Sequence, residues 1–466
     1  MKPSHSFALI GKIFRVAALL SGFAGVILTP LAHAATAAAA APDAVDRAMR
    51  DELARSMAQL KIENLEAPYF ISYRMTDAAS QSVGAQFGST LGRSEGRGRR
   101  VIIEVRVGSP TFDNTNFQSA SGGGTVSTSL PTDDDYAALR RHLWLATDRA
   151  YKGAAEQFSR KKAALQNKTR TETLPDFTPE PPVVVTDLHP APTINLDRAE
   201  GLARRLSALF RETPAVDLSG VSVGFNSELT RYANTEGGAF RREESQITLV
   251  VAAATQAVDG FPLDDHLAVF ARTWEALPTE AALTDAVREL GRRLAAQRDA
   301  ALLEQYNGPV LFEGQAAAEI FSQVFAPLVG ARPRPMVDGG RGRGPTGGGT
   351  TENPFLDKLG ARVLPDFFTV TDDPTINTLN GTPLFGDARI DDEGVPSRKV
   401  TLVEKGRLKT LLVSRAPVRG VSRSTGSAHG GSPLPSNLLV TAADGLDAVA
   451  LKAELLKLVE QRGKDY

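Results

Sequence analysis

The chain has 466 residues, 42% of them hydrophobic and 23% charged, which is material for two or three domains with ordinary buried cores and no need of a disulfide or metal staple. Its formal charge of −1 offers no electrostatic case for nucleic-acid binding. The absence of cysteine excludes thiol catalysis, disulfides and a lipidated N-terminal cysteine.

The first 34 residues read as a signal peptide. Lys2, Lys12 and Arg15 form a positive region, residues 16–31 are apolar, and Ala32-His33-Ala34 is a small-residue cleavage site. The alternative is an uncleaved anchor, although the apolar run is shorter than the ~20 residues a bilayer requires. Cleavage would leave a formal charge of −4 and a soluble periplasmic or secreted protein with no integral membrane segment.

Beyond that leader, Val45, Met49, Leu53, Met57 and Leu60 recur at helical spacing over 43–60. Residues 68–74, 82–91 and 100–107 read as three strands, the last two separated by a basic turn over 93–100. Thr132-Asp133-Asp134-Asp135 opens the longest helix, running to about Gln166, with acids at the positive end of its dipole. A Pro-rich linker or wrapping segment follows over 175–192. A helix over 196–211, strands over 221–233 and 245–254 joined at Asn234-Thr235-Glu236-Gly237-Gly238, and a helix over 279–306 complete the first part.

From Pro309 the texture changes. An apolar helix over 311–329 gives way to a loop rich in Arg, Gly and Pro over 331–351. Short β-runs at 367–370, 399–404, 410–414 and 438–440 follow, and a helix over 447–461 leaves little to pack beyond it, as if this domain were incomplete at its C-terminus. The expected class is α+β: an N-terminal α/β region over 35–194, a central α/β region over 195–308, and a β-rich C-terminal domain over 309–466.

Several segments together resemble the TldD/PmbA family, once called modulators of DNA gyrase. Asp391-Asp392-Glu393-Gly394, leading through Leu402-Val403-Glu404-Lys405-Gly406-Arg407-Leu408-Lys409, is the most specific. Asn234-Thr235-Glu236-Gly237, Asp372-Asp373-Pro374-Thr375, Ser424-Thr425-Gly426 and Pro435-Ser436-Asn437 stand in matching order over roughly 195–440. Read singly, these are turns, and the acids Asp372, Asp373, Asp391 and Asp392 read as a solvated rim, with a hard-cation site as the lesser alternative.

The resemblance implies a metallopeptidase whose helix carries H-E-x-x-x-H, two imidazoles for zinc and a glutamate for general base. In the matching helix Phe312 and Ala317 replace the two histidines, and Glu313 alone keeps its place, a vestigial base position. The family also recruits a cysteine, and there is none. His429, in the loop Gly426-Ser427-Ala428-His429-Gly430-Gly431, lies where such a ligand could come from. A rescue site of Glu313, Glu319 and His429 is conceivable, but an exposed loop histidine is the plainer reading. His142, His189 and His266 form no ligand pair. No metal is therefore expected, although zinc is the family's cofactor.

Two functions follow. The first is a non-catalytic member that binds peptide or unfolded protein, or pairs with a homologous subunit as a homo- or heterodimer, since the family's two-subunit proteases contain a partner without the motif. The second is an active metallopeptidase with a remodelled metal site. A carbohydrate-binding module is disfavoured by 6% aromatic content with two Trp.

Overall fold

The computed structural model describes residues 43–118, 123–166, 174–188, 194–301, 305–337 and 353–463. The expected leader 1–34, His189 and most of the loop at 331–351 lie outside the described residues.

The fold is α+β, with an N-terminal α/β part and a β-rich C-terminal part. Its frame is one eight-stranded sheet. The strands run Phe112–Asp113, Ser89–Ser109, Pro68–Gln86, Leu218–Asn234, Ala239–Gln256 and Val184–Asp187. Thr125–Leu130 also pairs with Ser89–Ser109, and Pro262–Ala271 with Ala239–Gln256. The two regions at 35–194 and 195–308 thus share a sheet, because Pro68–Gln86 pairs antiparallel with Leu218–Asn234.

Three strands were expected over 68–107, and the structure has two much longer ones. Residues 93–100 are not a turn: they pair with the neighbouring strand, from Arg93 opposite Val83 to Arg100 opposite Thr76. The reversal falls at Phe87-Gly88, with φ of 45° and 80°. Two left-handed residues make the two-residue hairpin loop whose twist matches the strands. The basic stretch imitates a turn because residues 89–98 are all exposed, so no apolar alternation marks them. The strands Thr125–Leu130, Val184–Asp187 and Pro262–Ala271 had no sequence expectation. The second of these lies in the Pro-rich segment, which wraps the sheet as an edge strand parallel to Ala239–Arg242.

Helices cover one end of the sheet each. Helix α1 (Ala44–Gln59) and helix α2 (Tyr136–Leu165) start where Asp43 and Asp135 accept the N–H of Asp46 and Ala138. They bury Val45, Met49, Leu53, Leu139, Leu143 and Tyr151 against Ile71, Tyr73, Ile103 and Val105. Helix α3 (Leu196–Ala208) and helix α4 (Glu280–Asp299) form a second core around Val221, Val223, Leu249 and Val251. The helix expected over 279–306 ends at Asp299, seven residues early.

The C-terminal part has its own core, built from Phe325, Val329, Val370, Leu402, Leu408 and Val413. A four-stranded sheet orders Arg407–Leu408, Val400–Glu404, Phe368–Asp372 and Leu438–Ala442. The helix expected from Leu311 begins at Gln315, behind Gly314 at φ 54°, and passes through a π-helical turn at Phe321–Phe325 before ending at Val329. No helix among the described residues is long and apolar enough to cross a membrane.

Candidate functional site

A cleft of about 1150 Å³ separates the face of the long sheet from the C-terminal part. Phe70, Arg74, Glu104 and Arg106 line one wall, and Arg332, Asp392, Glu393 and Arg415 line the other. Alternation along two neighbouring strands puts these side chains on one face, since residues two apart share a face. The walls are rich in charge, and nearly every acid is matched. Arg106 pairs with Glu104 at 2.7 Å and Asp113 at 2.9 Å. Asp392 pairs with Arg74 and, at 3.0 Å, with Arg242. Arg415 holds Glu236 with both terminal nitrogens, at 2.6 and 2.8 Å. Phe177, from the Pro-rich segment, is clamped between two guanidiniums, Arg106 at 3.8 Å and Arg415 at 3.9 Å.

The segments that carry the family resemblance meet at this cleft. Asn234 Oδ1 accepts the N–H groups of Glu236 and Gly238, which aims Glu236 at Arg415. The Asp391-Asp392-Glu393-Gly394 turn supplies three different contacts. Asp391 accepts the N–H groups of Glu393, Val395 and Ala428, so it organises the turn from inside. Asp392 faces Arg74 and Arg242 and accepts the N–H of Gly430 at 2.8 Å. Glu393 accepts the N–H of Arg415 at 2.7 Å. Gly394 sits at φ 80°, where a Cβ would lie 2.9 Å from the Tyr232 ring, so only glycine lets the turn dock on the sheet.

The acids are therefore not a solvated rim. Asp372 and Asp391 are fully buried and Asp373 is 3% exposed. Their contacts run inward to the chain itself: Ser436 N–H on one oxygen of Asp372, and Thr375 N–H and hydroxyl with the Lys399 ammonium on Asp373. Sequence alone could not see this, because an acid satisfied by backbone N–H groups reads like an exposed one. Burial raises Asp391, and the charge of Glu393 adds to it. Burial works against Asp392 too, yet Arg74 and Arg242 hold its carboxyl below the usual range.

Burial pushes Asp372 up to about 7, and its Oδ2 has no hydrogen-bond partner. The folded chain then keeps a proton that the unfolded chain releases above pH ~4. Stability from this group is complete below the unfolded value and is lost as pH rises through about 7. Asp372→Asn keeps an acceptor for Ser436 and carries no charge. It should raise stability by about 1–3 kcal/mol at pH 8 and leave it unchanged near pH 4. Thermal melts at the two pH values check this, and a pH-independent difference would contradict it.

The sequence-derived site residues lie elsewhere or act differently. Glu313 and Phe312 are exposed, ahead of the first helical residue rather than on the helix, and Ala317 is half-buried within it. None of the three lines the cleft, whereas Pro327 and Gly330, at the far end of the same helix, do. His429 is not an exposed loop histidine. It is half-buried, its Nε2 is 2.9 Å from Ser436 Oγ, and burial lowers its pKa despite the nearby Asp392. His142 is exposed with Nδ1 2.8 Å from Ala138 O, and His266 lies on the Pro262–Ala271 strand. Among the described residues no three His, Cys, Asp or Glu side chains are grouped to hold a metal ion. Zinc does not fit the donors present there. Arg415 and Glu236 were missed as site residues. The available signal was Glu236 inside Asn234-Thr235-Glu236-Gly237, whose side chain proved to be the turn's purpose.

Comparison with known proteins agrees with this architecture. Residues 305–461 match the PmbA/TldA metallopeptidase C-terminal domain. A 61-residue stretch, 13% of this chain and 12% of the relative, is 48% identical to Metalloprotease MJ0996 of Methanocaldococcus jannaschii, so the match spans about an eighth of that protein. Two solved structures share the fold. One, from Thermotoga maritima and described as a modulator of DNA gyrase, has a TM-score of 0.55 at 16% identity, over 84% of this chain and 77% of its own. The other, TldE from Thermococcus kodakarensis, has a TM-score of 0.50 at 15% identity, over 88% and 80%. With its resembling segments converging on one cleft, residues 305–461 carry a PmbA/TldA-type metallopeptidase C-terminal domain, and the described chain shares the fold of these two structures.

Proposed function

We propose that this chain is an exported family member that holds unfolded polypeptide in its cleft without hydrolysing it, and that it works paired with a homologous subunit. The observation that carries this reading is the contrast between two places. Phe312 and Ala317 offer no metal donor, and no ligand group forms among the described residues. The cleft, by comparison, is built to a high standard, its charges matched and its walls tied by Arg415 to Glu236 and to the Pro-rich segment. Its half-buried apolar side chains Ile102, Leu356 and Leu434 lie in a wall rich in charged groups, which suits extended chains of mixed composition.

Zinc analysis of the full-length protein after zinc loading and desalting tests the reading. The expected result is substoichiometric zinc and no chelator-sensitive cleavage of casein. Stoichiometric zinc with EDTA-sensitive cleavage would overturn it in favour of an active peptidase with a remodelled metal site.

A further inference from the structure

The outer surface of helices α1 and α2 carries a second cavity, of about 470 Å³, that shares no residue with the cleft. Glu52 and Arg55 of α1 line it, with Tyr136, Arg140, Arg141 and Trp144 of α2. Glu52 is buried and its carboxylate is shared, by Arg55 Nε at 2.9 Å and Arg140 at 3.2 Å. Three guanidiniums therefore meet one carboxylate, and Arg141 has no acid partner among the described residues. Charge is not all that this surface shows. Met57, Trp144 and Leu145 are 37, 44 and 45% exposed on it. Arg141, Leu145 and Arg149 share one outer stripe of α2, because residues four apart on a helix share a face. Arg55 lies over the Trp144 ring at 5.9 Å, so the indole stands at the cavity wall. The acids that open α2 are about two to three turns away. Asp134 is taken by Arg99 and Asp135 by the N–H of Ala138.

We propose that this cavity takes the phosphate of an anionic phospholipid, with Trp144, Leu145 and Met57 entering the membrane interface around it. Guanidiniums suit phosphate because they meet its oxygens with paired N–H groups. A free phosphate would account for the arginines alone. A lipid also accounts for the exposed apolar rim, because the interfacial layer takes up an indole, a leucine and a methionine that water does not favour. Cations beside an indole on the outer stripe of a surface helix are the composition of helices that lie on an anionic interface. The whole chain is close to neutral, at −1, so attraction to such a surface must come from a face where cations gather. Exposed Arg50, Arg141 and Arg149 gather here. The inner faces of both helices are buried against the sheet, so contact is peripheral and the fold need not open. Lipid at this face is independent of what the cleft holds.

The chain has two tryptophans, so Trp274→Phe leaves Trp144 as the only indole reporter. In that full-length chain, Trp144 emission should move to shorter wavelength with vesicles of phosphatidylglycerol and phosphatidylcholine in equal parts. Phosphatidylcholine alone should leave it unmoved. Adding Arg141→Glu, a two-unit charge change at an anionic surface, should weaken vesicle binding by roughly tenfold to thirtyfold. Arg141 is exposed, so the fold should survive, which circular dichroism and an unchanged melt verify. No shift, an equal shift with phosphatidylcholine alone, or a folded Arg141→Glu chain that binds as before overturns the proposal. Vesicles that carry the chain down while Trp144 emission stays unmoved are held by another segment, such as 16–31, and also overturn it. A shift produced by inorganic phosphate or by polyglutamate, and not by vesicles, would make this a free-anion site or a dock for acidic polypeptide, and overturns it too. Zinc loading or casein cleavage would sink the proposed function while leaving the lipid site untouched.

Discussion

Replacing Lys161 with methionine should destabilise the chain by about 3–5 kcal/mol. Lys161 lies on α2 with no exposure. Its ammonium donates to Asp113 O at 2.9 Å, Thr115 O at 2.7 Å and the Asp176 carboxylate at 2.6 Å. Asp176, itself 1% exposed, also accepts the N–H of Asp113 and the amide of Asn116. The network pins the start of the Pro-rich segment to the sheet, one residue before Phe177. Methionine fills the volume but strands a buried carboxylate and two carbonyls. Breaking a buried pair costs far more than the pair gains, so Lys161→Met with Asp176→Asn should recover a good part of the loss. Urea denaturation measures both. A single variant within about 1 kcal/mol of wild type would show that the pair is not what fixes the segment.

The second large effect is expected at Arg415. It is 1% exposed and serves three parts of the chain: Glu236 through a two-pronged ion pair, Thr178 O through Nε at 2.9 Å, and Phe177 by stacking. Its own carbonyl accepts the N–H and hydroxyl of Thr178, and its N–H reaches Glu393. Arg415→Ala leaves Glu236 unmatched and opens a void against Phe70 and Phe177. A loss of about 3–5 kcal/mol is expected, with weaker casein binding even at temperatures where the variant is folded. Arg415→Lys keeps a charge but not the planar fork, so it should lie between the two. If alanine lowers stability and leaves casein affinity unchanged, the cleft wall is not where peptide binds.

The sequence made some features plain and hid others for physical reasons. Helices α1 and α2 were readable because capping acids and apolar spacing agree, as at Asp43 with Val45, Met49 and Leu53. The long hairpin was hidden by its exposed basic arm, where both faces of residues 89–98 are wet and alternation disappears. Thr125–Leu130 is short and polar, so a strand there is visible only through its partner. The turns Asn234-Thr235-Glu236-Gly237 and Asp391-Asp392-Glu393-Gly394 were recognisable as patterns. That one arginine, 179 residues from Glu236 in the chain, ties them together is a tertiary fact with no local sign. The helix start shows the same limit: Glu313 kept its identity, but Gly314 at φ 54° ends its claim to a helical position.

Hydrogen-exchange mass spectrometry of the full chain with reduced, alkylated casein in EDTA tests the cleft directly. The account predicts added protection at residues 70–74, 102–106, 414–416 and 431–434, unchanged by the chelator. Protection confined to 312–317, or lost once EDTA is present, would contradict it and return the site to a metal-bearing helix.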